Sequence, residues 1–516
     1  MKKGISWYYK LCAKNAVYDG VQYGVFILLL LYLFILQTQA IWPFTIDDMY
    51  IPLRYARHWA TGGGLLWNLQ APPVEGYSNF SFVLLAYMAL VLKLNPVVVL
   101  KVAGLIGLFV TCLFVFLITR FWFKRRESLL PCIGLLLYKG QIIWAVSGLE
   151  TTVYQALICA AVYYSFKGMG YLHFPNARGR PNHRSFFLAG LLCAFAGMTR
   201  PEAPVLIIIF FILMCFDVDR RAIKQYVQGL AFFLTPMVFL FLPYFFWRWH
   251  YYGLLFPNPV YCKGISNDFF LKLDINYLKL IWPFALCALP ACIWAKDKRH
   301  CFLWLPGVVY LILLAGADTV VAFDNRLFLT AFVLLLPLAL KGISEVIQYV
   351  VHDERYYRLS LYFILVYVAL LCIPWMTLAQ YRHFSQNPVA GEQLRSKVIQ
   401  WLNAHTVKSD SIVLADSGMI PYYSEDHFID SYCLNNAIMA QYPRKQRYEQ
   451  FCKQIMLEKP KVIILTALIE HGSIIYTPGD VCLKALLKKQ NQYKLMAQFR
   501  TSNPDSAYRY ELFANF

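Results

Sequence analysis

The chain has 516 residues, of which 59% are hydrophobic, 17% aromatic and only 15% charged, with a mean hydropathy of +0.48. Soluble domains average about 25% charged residues, so a water-soluble enzyme of this length is excluded. The 48 Lys+Arg against 29 Asp+Glu give a net charge of +19, an excess that membrane proteins concentrate in cytoplasmic loops, and it therefore does not point to nucleic acid.

The first apolar run, 21–42, is about 20 residues long and lacks a small-residue cleavage site, so it reads as a spanning helix and not a removable signal. Lys2, Lys3, Lys10 and Lys14 precede it and place the N-terminus in the cytoplasm. Further apolar runs follow at 80–119, 128–145, 150–166, 186–199, 203–216, 227–247, 279–295, 301–316, 327–344 and 359–380. One set of connections is cationic (Arg120/Lys124/Arg125/Arg126, Lys167/Arg178/Arg180/Arg184, Arg220/Arg221/Lys224, Lys296/Lys298/Arg299, Lys341/Arg355/Arg358) and reads as cytoplasmic. Alternation then puts 47–79, 147–150, 199–202, 249–278 and 317–326 outside. The scheme closes with about eleven spans if 80–119 crosses once and carries a short helix broken near Lys93 to Pro96.

Beyond Gln380 the hydropathy falls. Residues 381–516 read as an α/β domain with a helix at 391–404 and strands at 411–415, 461–465 and 507–513. At about 130 residues it can bury a core of its own. Residues 1–380 are thus a transmembrane domain whose first outside loop is 42–79. No internal repeat pairs the halves, which disfavours an inverted-repeat transporter. No phosphate-cradling glycine loop and no His-Glu-x-x-His motif is present. Of the fourteen cysteines, most lie in apolar runs as small hydrophobes; Cys433, Cys452 and Cys482 share the last domain and can pair there in an oxidising compartment, but three is odd, so at least one is expected to stay unpaired within the chain, and no disulfide is assigned.

The first outside loop carries the most chemistry. Asp47 and Asp48 head a segment in which Tyr50, Leu53, Ala56 and Ala60 form an apolar stripe at helical spacing, as in a helix lying on the bilayer. The plain reading of the pair is a helix cap worth ~0.5 kcal/mol. The loop continues through Gly62-Gly63-Gly64, Trp67-Asn68 and Val74-Glu75-Gly76-Tyr77-Ser78-Asn79, combining a turn, aromatic faces and groups able to bind hydroxyls. His58 reads as interfacial and Trp67 as a membrane anchor or sugar platform.

In these elements the sequence resembles the polytopic GT-C glycosyltransferases that take sugar from a polyprenyl phosphate, specifically the bacterial terminal arabinofuranosyltransferase (AftB-like) branch and, within it, the LphB-type membrane proteins. Matching motifs follow in order: Asp47-Asp48 with Arg54-Tyr55-Ala56, Val74 to Asn79, Trp144-Ala145-Val146-Ser147-Gly148-Leu149-Glu150-Thr151, Met198-Thr199-Arg200-Pro201-Glu202, and Tyr252-Gly253 through Pro257-Asn258-Pro259-Val260-Tyr261-Cys262-Lys263. Weaker matches are Trp401-Leu402, Asp416-Ser417-Gly418 and Tyr422-Tyr423 before Ile429-Asp430. The family's Gly-Gly-Asp element is degraded to Gly316-Ala317-Asp318-Thr319 with Asn325-Arg326, which bears on sugar preference more than on reaction class.

The resemblance implies a GT-C-like fold of about eleven transmembrane helices with a C-terminal soluble α/β domain, in the bacterial inner membrane with that domain extracytoplasmic. It implies transfer of a sugar from a polyprenyl-phosphate donor to a glycan or glycolipid, with inversion. Asp47 is the first choice as general base, with Asp48 orienting it, organising phosphate or metal, or exchanging roles with it. Arg200 and Arg326 are the expected donor-phosphate clamps, with Arg54 and Lys263 in reserve. Glu75, Tyr77, Asn79, Glu150, Glu202 and Asp318 are the expected substrate contacts. No cofactor is required by the motifs; a divalent cation, if used, would fall to Asp47 and Asp48. Each residue also has a structural reading: the arginines as headgroup anchors, Glu150 in an ion pair, Glu202 orienting Arg200, and Glu75, Tyr77 and Asn79 as loop architecture. A lipid-linked-sugar flippase would need charges along a midplane path, whereas these cluster at one rim. A non-catalytic anchor for a glycan-binding domain leaves the first-loop carboxylates unexplained.

Overall fold

In the computed structural model, residues 24–515 are described except 26, 70, 174–176, 219–221, 264–274, 315–319, 471–472, 490–491 and 502–505. The membrane part comprises α1 (Ile27–Ile41), α2 (Tyr50–Ala60), α3 (Phe80–Val91), α4 (Pro96–Thr119), α5 (Leu130–Leu137), α6 (Lys139–Val146), α7 (Thr151–Gly168), α8 (His183–Thr199), α9 (Ala203–Phe216), α10 (Ile223–Pro236), α11 (Leu242–Tyr252), α12 (Asn258–Lys263), α13 (Ile275–Ile293), α14 (Cys301–Leu313), α15 (Leu329–Val350) and α16 (Glu354–Cys372). The run 80–119 breaks where the sequence suggests. Lys93 is left-handed (φ 57°), Asn95 accepts the N–H groups of Val97 and Val98 at 3.0 and 3.3 Å, and Pro96 opens α4, a conventional helix start.

Among the described residues, four helices are long and apolar enough to cross a bilayer: Pro96–Thr119, Ile223–Tyr252, Ile275–Ile293 and Phe323–Val350, or five if the bent pair α5/α6 is one span. The count of about eleven read from hydropathy is therefore not reproduced by helix length and composition. The reason is visible in the elements. The run 128–145 bends by 68° between α5 and α6, where Tyr138 is extended (ψ 114°) and Lys139 gives its N–H to the Pro374 carbonyl. α7 buries Thr151, Thr152, Gln155 and Ser165, which lowers its hydropathy while tying it to its neighbours, as in the 2.6 Å bond from Thr152 to the Gly104 carbonyl.

The bundle is organised on α15, buried on nearly every face from Leu329 to Ile347 and packed against α13, α14, α16, α7 and α5. A helix apolar all round belongs at a centre. By contrast α13 exposes Trp282, Leu286, Leu289 and Ile293, and α16 exposes Leu359, Phe363, Val366 and Leu370, stripes suited to lipid.

After α16 a capping box of Thr377 and Gln380 starts α17 (Leu378–His405), longer at its N-terminal end than the helix expected at 391–404 because Pro388 is accommodated within it. A mixed six-stranded sheet follows, formed by β1 (Ser411–Leu414), β2 (His427–Asp430), β3 (Val462–Glu470), β4 (Ser473–Tyr476), β5 (Lys494–Arg500) and β6 (Ser506–Ala514) in the order β2-β1-β3-β6-β5, with β4 also on β3. β1 runs parallel to β2 and β3, and β6 runs antiparallel along all of β3. The helices α18 (Met419–Tyr423), α19 (Ala437–Gln441), α20 (Arg444–Ile455) and α21 (Pro478–Leu487) complete it.

Two disulfides, Cys262–Cys433 and Cys452–Cys482, correct the expectation that at least one of the three cysteines of the last domain stays unpaired. The odd third cysteine of the last domain finds its partner in α12, 171 residues away, a pairing that local spacing cannot show.

Candidate functional site

The first loop is clamped between the bundle and the C-terminal domain. Arg54, on α2, donates to the carbonyls of Trp67 (2.7 Å), Pro421, Ser424 (3.1 Å) and Asp426 (3.2 Å) and to Asn68 Oδ1 (3.2 Å), and lies on the rings of Trp67 and Phe428. Its guanidinium is consumed by loop and domain carbonyls, so the structure makes it a rivet and not a free phosphate ligand. Asn68 reinforces this joint by exchanging two bonds with the Phe428 backbone. Trp67 is buried against Tyr55 and anchors no lipid. His58 meets the Leu66 carbonyl at 2.8 Å.

Close approach explains one glycine of the Val-Glu-Gly-Tyr-Ser-Asn element. A Cβ on Gly76 would lie 1.6 Å from Asn435 Oδ1, so the loop can seat against the C-terminal domain only with glycine there. On either side, Glu75 holds Arg248 through both its oxygens (2.9 and 2.8 Å from Nε), and Tyr77 shares a hydrogen bond with Tyr252 at 3.0 Å. Burial pushes the Glu75 carboxyl up to about 7 against the pull of Arg248. Glu75 and Tyr77 therefore fasten the loop to α11.

Asp47 and Asp48 begin a 3₁₀ turn, Asp47–Met49, in which consecutive side chains diverge by about 120°. Asp47 turns to the C-terminal domain. It accepts the Met419 N–H at 2.9 Å and pairs with Arg395 at 3.1 Å, and Arg395 also holds Asp416 at 2.8 Å. Tyr510 donates to Asp416 as well. A Cβ on Gly418 would lie 2.1 Å from Asp47 Oδ2, which accounts for the Asp-Ser-Gly motif. Burial, opposed by Arg395 and reinforced by Asp416, holds the Asp47 carboxyl above its usual range; Asp416, buried but paired with Arg395, is held below it.

Asp48 instead lies within electrostatic range of Arg326, which belongs to a second cluster. Glu150, in the turn before α7, accepts from Arg200 at 3.3 Å and Arg326 at 3.2 Å on one oxygen and from Asn79 at 2.9 Å on the other. Arg200 also pairs with Glu202, and Arg326 reaches Thr151 Oγ1 at 3.3 Å. Each guanidinium lies on an aromatic face, Arg200 on Tyr154 and Arg326 on Trp144. Burial raises the Glu150 carboxyl, but Arg326 and Arg200 outweigh it and keep it below the normal range. Four motifs far apart in sequence thus meet at one point: Asn79, Glu150, Arg200 with Glu202, and Arg326.

Lys263 closes α12, but its side chain and the whole of Asp318 lie outside the described residues. A cation shared by Asp47 and Asp48 would need both carboxylates to converge, whereas Asp47 is directed to Arg395. Among the described residues no three His, Cys, Asp or Glu side chains are grouped to hold a metal. Two partners escaped the sequence reading: Arg395, in a polar helix with no motif around it, and Arg248, a lone cation at the end of an aromatic run.

No curated protein matches the chain in sequence. A family model described as "Domain of unknown function (DUF8728)" matches residues 379–513, the segment running from α17 into β6. Among solved structures the chain is similar to ArnT from Cupriavidus metallidurans bound to undecaprenyl phosphate, at 11% identity and TM-score 0.56, over 96% of this chain and 98% of that one. It is also similar to the archaeal oligosaccharyltransferase AglB from Archaeoglobus fulgidus in complex with an inhibitory peptide and a dolichol-phosphate, at 10% identity and TM-score 0.52, over 87% and 74%. The fold of this chain is thus the one shared with these two solved structures.

Proposed function

We propose that the protein is a membrane glycosyltransferase that moves a sugar from a polyprenyl-phosphate donor to an extracytoplasmic glycan or glycolipid. The observation that carries this reading is the convergence of Arg200 and Arg326 on Glu150, within electrostatic reach of Asp48, in a fold shared with ArnT solved with undecaprenyl phosphate. The two disulfides support an oxidising compartment for α12 and the C-terminal domain, in keeping with the outside placement of the first loop from loop charge.

In this reading the acceptor oxygen attacks the anomeric carbon from the face opposite the phosphate. The carbon–oxygen bond to the phosphate breaks, its electron pair leaves with the polyprenyl phosphate, and the acceptor proton passes to a carboxylate. Because Asp47 is occupied by Arg395 and Met419, we assign the proton to Asp48 and give Asp47 the role of fixing the turn; the two exchange the roles first expected of them. Arg200 and Arg326 face the charge growing on the leaving phosphate, held in place by Glu150 and Glu202. A single-displacement course and placement in a bacterial inner membrane belong to the same proposal.

The test is transfer by the purified protein in detergent from a panel of radiolabelled polyprenyl-phosphate sugars to total envelope glycan. Wild type should transfer one of them, and Asp48→Asn should lose about 10²–10⁴-fold in kcat, the span of general-base catalysis, while keeping its melting temperature. Absence of transfer from every donor, with translocation of one in proteoliposomes, would replace the reading by a flippase.

A further inference from the structure

A cavity of about 410 Å³ opens beside the cluster without including any of its charged residues; its walls include Tyr138, Lys139, Lys279, Asp324, Asn325 and Pro374. Phe323 separates the two, since it lines the cavity while its ring packs 4.5 Å from that of Trp144, on which Arg326 lies.

The cavity is built from an unusual backbone. Asp324 and Asn325 are consecutive left-handed residues (φ 48° and 59°), a region that Asp and Asn enter more readily than other non-glycine residues. Specific bonds hold it: Lys139 pairs with Asp324 at 2.8 Å, Tyr138 donates to the Asp324 carbonyl at 2.9 Å, and Asn325 donates to the Tyr138 oxygen at 3.0 Å. Since the Tyr138 proton is committed to the carbonyl, its oxygen is an acceptor, which fixes the Asn325 amide with Nδ2 towards it. Asn325 Oδ1 is then a buried acceptor with no protein donor. Two lysines face one aspartate in the wall, and among the described residues Lys279 has no ion pair or hydrogen bond, so the described wall carries an excess of one positive charge.

Its position says which anion fits. Lys279 tops the exposed stripe Trp282, Leu286, Leu289 and Ile293 on α13, and Pro374 follows the exposed end of α16 at Leu370 and Leu371. A cationic cavity thus sits at the head of two apolar faces, at the bilayer end next to α17. We propose that it is a second anion site, distinct from the arginine cluster, which takes the phosphate of a lipid: the phosphate meets Lys279, and the acyl or prenyl chain lies along α13 and α16. The assignment rests on the cavity and the lipid-facing stripes and stands apart from the transferase reading.

The test uses the full chain in phosphatidylcholine nanodiscs containing a diazirine-bearing phosphatidic acid, with the photolabelled peptides mapped by mass spectrometry. Label should fall on the Lys279 end of α13 and the Leu370–Pro374 region. Excess phosphatidic acid should compete it away, and inorganic phosphate should not. Lys279→Ala should lower it about tenfold, the loss of one charge-assisted contact worth ~1.4 kcal/mol, and Lys279→Arg should retain it. Label spread evenly over lipid-facing helices, unchanged in Lys279→Ala, or competed equally by inorganic phosphate would each overturn the proposal. The wild-type map decides even if Lys279→Ala does not fold, and Asp48→Asn should leave it unaltered whether or not sugar transfer is found.

Discussion

Replacing Arg395 with methionine should loosen the first loop from the C-terminal domain, and the loss should depend on pH in a defined direction. Arg395 is the buried cation between two largely but not fully buried carboxylates, at 3.1 Å from Asp47 and 2.8 Å from Asp416. Each such pair gains about 5 kcal/mol at an effective dielectric of about 20, most of it offset by desolvation. Removing the shared partner of buried ions costs about 3–5 kcal/mol, and here it also leaves two carboxylates to repel. In the variant both carboxyls have folded-state pKa values above their unfolded ones. A group raised in this way contributes stability below its unfolded pKa and loses it as pH rises through the folded value. The variant should therefore be most destabilised near pH 8 and recover towards pH 5. Thermal unfolding of the full chain and hydrogen exchange across α17 and α18 at both pH values measure this. A variant that matches wild type near pH 8, or is further destabilised on acidification, would refute the shared-cation account.

Asp47→Asn should be milder than Arg395→Met, about 0–2 kcal/mol, because Arg395 keeps Asp416 and the amide oxygen can still accept the Met419 N–H; thermal melting compares them. In a double-mutant cycle, Glu75→Ala and Arg248→Met should each cost about 3–5 kcal/mol, but together less than their sum, since each single change strands a buried charge; strict additivity in the melting data would deny the pair. Non-reducing digestion should yield linked peptides for Cys262–Cys433 and Cys452–Cys482, and a Cys433–Cys452 product would contradict the docking of α12. Lys408→Cys, at a position whose side chain is 80% exposed, should react with a membrane-impermeant maleimide from outside the cell; reaction only after permeabilisation would invert the topology.

Much of the bundle is readable because apolar runs and prolines act locally: Asn95-Pro96 marks a helix start, and the final alternating strand appears as β6. What escaped is non-local. The bend at Tyr138 lies within a continuous apolar run and is set by partners at Asp324 and Pro374. β2, β4 and β5 carry weak alternation and are defined by the neighbours they pair with. For the site, the motifs name Asn79, Glu150, Arg200 and Arg326, yet their spacing contains nothing to say that one carboxylate serves both arginines. Likewise Arg54 and Arg200 look alike in sequence, each a cation beside a rim helix. Only the carbonyls of Pro421, Ser424 and Asp426 divert Arg54 to architecture.

The 3₁₀ turn at Asp47–Met49 connects the two halves of the molecule. One carboxylate of the pair answers to the C-terminal domain through Arg395 and Met419, and the next residue lies within electrostatic range of the Arg326 cluster of the bundle. Residues adjacent in a rigid turn cannot move independently, so any shift of α17 or the 416–419 segment is transmitted to Asp48 over a single peptide unit. The loop has no slack to absorb such a shift, because Arg54, Asn68 and Gly76 pin it to the same domain. The C-terminal domain therefore sets the position of Asp48 relative to Arg326. If Asp48 takes the acceptor proton as proposed, substitutions at Arg395 or Gly418 should lower sugar transfer in the detergent assay through geometry, although neither residue touches the arginine cluster.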